Sequence, residues 1–358
     1  MGVEMRMPKQ KSGVMPKLTP EELRRLRESM PDLITDQFET IGAAVEGCDV
    51  IVGAGVHQYA APSIAEQAGI GCVTTAYAPN SLPSPDLAPP PVHGGTIITT
   101  GHAGIEEQWR NTAVAWNDRA LERINLNRNR LGLDPIKDVL DYVLTDHTWL
   151  AADPILAPVP ATPGRTIFQT GTWVFADSTP LPADVEAFLE HGGPPIFVGF
   201  GSMPATGDAA HWPIVAARAM GHRVIVSKGW ADLELIDDAP DCMSVGDVNH
   251  EILFPRVAAV VHHGGAGTTA TAARAGVPQV ITPMFGDQFY WAARIVDLGI
   301  GVATPHATMT EEFLTEALRD VLHPSVENQA RTLSSQVRRD GTEVATRQLE
   351  LEYGTDGK

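Results

Sequence analysis

The chain has 358 residues, with 26 Lys and Arg against 44 Asp and Glu, and a formal net charge of −18 at neutral pH. That length points to two domains rather than one, and 43 % hydrophobic against 20 % charged residues supply enough apolar material for packed cores, which excludes a disordered or fibrous protein. The acidic excess excludes nucleic acid or an anionic membrane surface as the main partner, because both need a local basic excess. A basic pocket for a small anion stays open. No apolar run reaches the roughly 18 residues of a spanning helix, and the first residues lack the apolar segment of a signal peptide. Cys48, Cys72 and Cys242 are far apart and form no CxxC pair, against a disulfide framework or a zinc site. The expectation is a reduced, cytoplasmic protein without a transmembrane segment, with peripheral membrane contact left open.

Along the chain, Thr19-Pro20-Glu21-Glu22 has the form of a helix start and predicts a short helix to about residue 30. A second helix is expected over 36–45, a short buried strand over 49–55, a helix over 60–68 and a strand over 71–77, the βαβ rhythm of a parallel sheet. Six prolines in 78–95 predict a surface loop. A long helix follows over 105–131, with Trp109 and Trp116 at helical spacing and read as core, then strands over 148–152 and 166–170. Residues 175–184 have the composition of a linker. Beyond them the alternation is cleaner, with strands expected over 196–200, 223–226, 243–245, 258–262, 279–281 and 301–303. Helices are expected over 207–220, 249–254, 267–275, 288–297 and 310–322. That is a complete doubly wound α/β domain, and the tail over 324–353 reads as helical and charged.

Three turns carry candidate chemistry, each after a strand. In His262-His263-Gly264-Gly265-Ala266-Gly267-Thr268-Thr269, the glycines allow close backbone approach and free N–H groups at a helix start attract an anion such as a diphosphate. His263 can donate to a phosphate oxygen or balance its charge, and the two threonines add hydroxyls. A tight strand–helix turn capped by threonine is the plainer alternative. Gly199-Phe200-Gly201-Ser202 sits at the carboxyl end of another strand of the same domain, where doubly wound sheets bind ligands. Gly286-Asp287-Gln288 offers an acceptor and an amide fork suited to sugar hydroxyls, or an N-capping aspartate.

The run from Val261 to Gly301, with HHGGAGTT, ARAGVPQV and GDQ, resembles the donor-binding signature of nucleotide-sugar glycosyltransferases of the GT-B fold. It is most similar to the bacterial branch that decorates glycopeptide and glycopeptidolipid natural products, with sterol glucosyltransferases more distant. Ser227-Lys228-Gly229-Trp230, Asp247-Val248-Asn249 and Gln169-Thr170-Gly171 also fit that branch. The resemblance implies an α/β protein of two Rossmann-like domains facing across a cleft. Its division would be 1–174 as the acceptor-side domain, 175–184 as linker, 185–335 as the donor domain, and 336–358 as a C-terminal helix returning to the N-terminal domain.

The resemblance further implies that His263, Gly265, Gly267 and Thr268 hold the donor diphosphate, with Ser202 contributing from the facing turn. Val248 would meet the nucleobase through its backbone with Trp230 in support, and Asp287 and Gln288 would hold the sugar. The implied reaction moves a hexose from a UDP- or TDP-sugar to a hydroxyl of a hydrophobic natural-product or lipid acceptor. It would be inverting and metal-independent, with the nucleotide sugar as co-substrate and no further cofactor.

The family's opening strand, glycine loop and helix, which carry the general base, are not found at the start of this sequence; on the family's pattern roughly 60 residues are lacking. The N-terminal domain is therefore expected to be incomplete, with an exposed apolar strand edge beside 50–53. Without its base, transfer would lose about 10²–10⁴-fold. His57, after the 49–55 strand, is a weak substitute candidate, and a loop histidine is the plainer alternative. Two other possibilities stay open: a chain that binds donor but is catalytically impaired, and a nucleotide-sugar epimerase on a similar scaffold.

Overall fold

The computed structural model describes residues 32–91, 102–203, 207–304 and 309–354. The helix expected before residue 30 and the segment read as an acceptor-side loop near the N-terminus lie outside them. The chain folds as two compact units, divided at Val174/Phe175 and again at Arg339/Asp340. Both are α/β with a parallel sheet.

The unit formed by 32–174 and 340–354 carries α1 (Leu33–Ala44), β1 (Val50–Ala54), α2 (Ala61–Ala68), β2 (Gly71–Ala76), α3 (His102–Arg130), α4 (Val139–Leu144), β3 (Thr148–Leu150) and β4 (Ile167–Gln169). The strands run parallel in the order β1-β2-β3-β4, with Val50 opposite Gly71, Thr74 opposite Thr148 and Thr148 opposite Ile167. Among the described residues β1 is an edge strand. Helix starts follow local chemistry: Asp32 and Asp138 accept from the backbone N–H groups of Thr35 and Asp141 at 3.3 and 2.8 Å, each satisfying an orphan donor of a first turn.

The C-terminal tail is two helices rather than one, α11 (Pro324–Ser334) and α12 (Gly341–Tyr353), separated at 335–340. Helix α12 completes the first unit. Its Ala345, Leu349 and Tyr353 pack with Val73, Trp149 and Phe168 on one sheet face, and Thr342 Oγ1 donates to Val174 O at 2.9 Å. Across the unit, the Arg128 side chain is buried, donating to Ser63 Oγ at 2.9 Å, Glu66 Oε2 at 2.8 Å and Asp134 O at 2.6 Å.

The unit over 175–339 opens with α5 (Ala183–Glu190), a helix not anticipated from the sequence, which begins inside the segment read as linker. It continues through β5 (Ile196–Gly199), α6 (His211–Ala219), β6 (Val224–Ser227), β7 (Cys242–Val245), α7 (His250–Leu253), β8 (Ala259–His262), α8 (Ala266–Ala275), β9 (Gln279–Ile281), α9 (Gln288–Asp297), β10 (Gly301–Ala303), α10 (Glu311–Val321) and α11. The six strands are all parallel in the order β10-β9-β8-β5-β6-β7. Strand residues alternate between two cores: Ile196, Val198, Val224, Val226 and Val261 face one layer with Leu314 and Leu318, while Phe197, Ile225 and Val260 face the other with Leu253 and Phe254. Both faces are covered, as parallel sheets require. The strand order reverses between β5 and β8, so a crevice opens at their carboxyl ends.

Candidate active site

Two of the turns singled out in the sequence leave β5 and β8 side by side at this reversal. After β5 the chain enters Phe200-Gly201-Ser202-Met203; Ser202 is exposed. After β8 comes the histidine–glycine turn, with Gly265 as the N-cap residue of α8. The two meet directly: a Cβ on Gly201 would stand 3.3 Å from His263 Cε1, and one on Gly265 would stand 2.5 Å from His263 Nε2. The imidazole of His263 therefore fits between two backbones that come this close only because they carry no side chain. His263 is buried, its Nδ1 has no partner, and desolvation pushes its pKa down to about 4, so the ring is neutral.

At the start of α8 the N–H groups of Gly265, Ala266, Gly267 and Thr268 have no hydrogen-bond partner among the described residues. Gly267 is exposed, and Thr268 is half-buried, its hydroxyl without a partner among the described residues. Thr269, read from sequence as a second hydroxyl donor, is turned inward: its Oγ1 donates to Gly265 O at 2.9 Å.

Two further loops join this pair. Trp230, after β6, donates its backbone N–H to Gly201 O at 2.9 Å and leaves its indole about half exposed. From the β9 side, Gln288 is buried, its Oε1 accepting from Met284 N at 2.7 Å and Phe285 N at 3.2 Å while its Nε2 donates to Met203 Sδ at 3.0 Å. Asp287 occupies the N-cap position of α9 without capping it by its side chain. It instead accepts from Trp291 Nε1 at 3.2 Å, and burial raises its pKa. Val248 lies beyond β7, its side chain packed on the Phe197 core layer and its backbone N–H and C=O without partners among the described residues. Asn249 beside it caps α7 through Glu251 N at 3.0 Å and donates to the carbonyls of Asp177 and Thr179 at 2.9 and 3.1 Å.

His57 belongs to the other unit. Its ring stacks on Trp116 at 5.0 Å between centroids, with Tyr59 edge-on at 6.0 Å. Trp116 is thus only partly core, whereas Trp109 is buried and donates to Leu87 O at 2.8 Å. Burial and the neighbouring Arg119 hold the His57 pKa below its ordinary value. The partners of Asp287 and Gln288, and the full burial of His262 with Gln279 beneath the glycine turn, carry no signal in the local sequence.

This geometry has relatives. A vancomycin aglycone glucosyltransferase of Amycolatopsis orientalis is 43 % identical over 334 residues, covering 93 % of this chain and 81 % of that protein. The chain belongs to the GT-B glycosyltransferases. A dTDP-epi-vancosaminyltransferase of the same organism is 40 % identical to this glycosyltransferase over 315 residues, covering 86 % of it and 74 % of the relative. Residues 212–351 match the family model of the erythromycin biosynthesis protein CIII-like C-terminal domain. Among solved structures, the glycotransferase of kitacinnamycin shares the fold with a TM-score of 0.68 at 18 % identity, over 94 % of this glycosyltransferase and 84 % of that chain. Family membership removes the epimerase alternative. No described helix of the glycosyltransferase is long and apolar enough to cross a membrane.

Proposed function

We propose that this glycosyltransferase moves a hexose from a UDP- or dTDP-sugar to a hydroxyl of a hydrophobic natural-product or lipid acceptor, with inversion and without a metal ion. The observation that carries the proposal is the start of α8, where a row of unpartnered N–H groups stands beside a buried imidazole with an unpartnered nitrogen. Such a site is preorganised for an anion, and a leaving nucleoside diphosphate is the anion that forms as the sugar departs. In the proposed reaction the bond from the anomeric carbon to the diphosphate oxygen breaks. The acceptor oxygen attacks from the opposite face, and its proton passes to a base.

His263, Gly265, Gly267 and Thr268 bind the diphosphate in this scheme, with Ser202 donating from the adjoining turn. The free backbone groups of Val248 recognise the nucleobase, and Trp230 flanks it. Asp287 accepts from sugar hydroxyls. Gln288 contributes through its one remaining amide N–H, since its oxygen is occupied by the backbone and its other N–H by Met203 Sδ. Burial first, and then the cation Arg119 as its charged neighbour, lower the basicity of His57, so the base is left unassigned. The names of the vancomycin-pathway relatives support a thymidine nucleotide as donor and a peptide aglycone as acceptor. A cytoplasmic enzyme is part of the proposal, in keeping with free Cys48, Cys72 and Cys242.

Titration calorimetry with UDP-glucose, dTDP-glucose and GDP-glucose tests the donor site before any acceptor is sought. Saturable binding of the uridine or thymidine sugar is the expected result. A folded chain that binds none of the three would overturn the proposal.

A further inference from the structure

His262, one residue before the ring placed against the diphosphate, is fully buried at the end of β8 and touches no free surface. Its two nitrogens are both engaged. Nδ1 lies 3.1 Å from the backbone nitrogen of Gly264, and Nε2 lies 2.9 Å from Gln279 Oε1. Gln279, on the adjacent strand β9, is equally buried, and its Nε2 donates to Thr269 O at 3.3 Å, in the first turns of α8. These partners fix the proton. A backbone N–H can only donate, so Nδ1 must accept; the Gln279 amide nitrogen is committed to a carbonyl, so its oxygen faces the ring and Nε2 must carry the hydrogen. Both ends demand the same neutral tautomer, and an imidazolium would turn one N–H onto another.

The contact at Nδ1 acts on a residue whose place admits no side chain. Gly264 has φ of +92°, a Cβ there would stand 2.7 Å from Ile281 Cγ2, and it would stand 3.2 Å from Gln288 O. With its N–H turned inward onto His262, the following N–H groups of 265–268 are the ones left unpartnered. One ring thereby ties β9, the start of α8 and the glycine turn together.

We propose that His262, set in its Nε2–H tautomer by Gln279, is a positioning residue of the donor site: it holds Gly264 inward so that the N–H groups of the next four residues face the diphosphate. This rests on the donor-site proposal above, and it adds a residue that touches no substrate. A purely structural role predicts something different. Removing the ring leaves the Gly264 N–H and Gln279 Oε1 buried without a partner and lowers stability in either case, whereas only a positioning role also misaligns the donors that follow the turn and is restored by an acceptor in the place of Nδ1.

The test has two arms on the full chain. Heteronuclear NMR of the ring nitrogens in the unliganded protein should find His262 as the Nε2–H tautomer at neutral pH; an Nδ1–H tautomer or a charged ring overturns the proposal. The second arm compares His262→Phe, which fills the space without an acceptor, with His262→Asn, whose side-chain oxygen can accept from the backbone N–H two residues on. The Phe variant should weaken UDP and dTDP binding about 10- to 100-fold, the scale of a small misplacement. It should raise KM for the nucleotide sugar while leaving KM for the acceptor unchanged, and the Asn variant should recover most of the loss. Equal losses in both variants, or full binding by the Phe variant, overturn the proposal while leaving the donor site intact. A wild-type chain that binds neither nucleotide overturns both readings. Should the Phe variant fail to fold, the tautomer decides.

Discussion

The two units use the same parts in different orders. In the 175–339 unit the strand sequence reverses between β5 and β8, so neighbouring turns diverge from a common point and a crevice forms within one sheet. The other unit's described strands advance in one direction, β1 to β4, with no reversal. Its polar contacts instead run from buried Arg128 and Ser63 out to the exposed Glu66, and beside β1 it carries a half-buried aromatic group of Tyr59 and Trp116 under the exposed His57. The candidate site of the 175–339 unit thus draws its residues from that unit alone.

The largest expected effect separates binding from stability within the donor unit. His263→Ala should lower nucleotide affinity and kcat/KM by about 10²–10³-fold, the scale of losing one preorganised donor. It should change unfolding free energy by under about 1 kcal/mol, because its Nδ1 has no partner to lose. Titration calorimetry beside a melting curve checks both. The mirror image is Arg128→Leu in the other unit, expected to cost about 2–3 kcal/mol of that unit's stability with nucleotide binding untouched. The cost is below that of a fully buried pair because the Glu66 side chain is 51 % exposed and returns to water. Two resolved calorimetric transitions, of which only one moves, would bear this out.

Asp287→Asn should reduce kcat/KM for the nucleotide sugar about tenfold while the affinity for the bare nucleotide diphosphate holds, since one charged acceptor is removed. Equal losses for sugar and bare nucleotide would place Asp287 in the frame of the loop instead.

Acid should find the donor unit first. His262 and His263 are held neutral with pKa values of about 3 and 4, and burial also lowers that of His250. Below the ordinary histidine pKa of roughly 6.5 the unfolded chain binds protons that the folded unit refuses, so stability falls with pH through that window down to about 3–4. Asp287, with its raised pKa, works in the opposite direction just above the ordinary carboxylate value, and as a single group offsets only part of this. Melting curves over that range should show the donor unit losing stability ahead of its neighbour, where His57 is the one described histidine with a resolved downward shift and the lowered carboxyl of Asp32 acts only below the ordinary carboxylate value. The smallest effect is expected for His57→Gln, below about threefold in kcat; a loss within the range of about 10²–10⁴-fold would identify the base instead.

Much of the donor unit was legible because its signals are local. The strands expected over 279–281 and 301–303 are Gln279–Ile281 and Gly301–Ala303, and the others agree within a residue or so. The glycine turn announces both its backbone freedom and its place before a helix. What stayed hidden depends on contacts between segments. Gln279 looks like an ordinary strand residue until the sheet order sets β9 beside β8, and only then does it choose the tautomer of His262. Gln288 reads as a free amide fork, yet its oxygen closes the loop it belongs to. Trp116 fits a core spacing on α3, but the neighbour that pulls it outward, His57, comes from the loop after β1. The helix Ala183–Glu190 was masked by the proline-flanked segment before it.

The clasp between Val174 and Thr342 has a consequence for how the molecule is made. The donor unit is, in chain terms, an insertion inside the other one, which the polypeptide leaves at Val174 and re-enters at Asp340. A ribosome adding about 5–20 residues per second needs roughly ten to thirty seconds to cross that insertion. During this interval the sheet face around Val73 and Trp149 waits for Ala345 and Leu349 to exist. A unit entered before the insertion is closed only after it, and a nascent chain stalled within the insertion lacks the helix that covers this apolar sheet face.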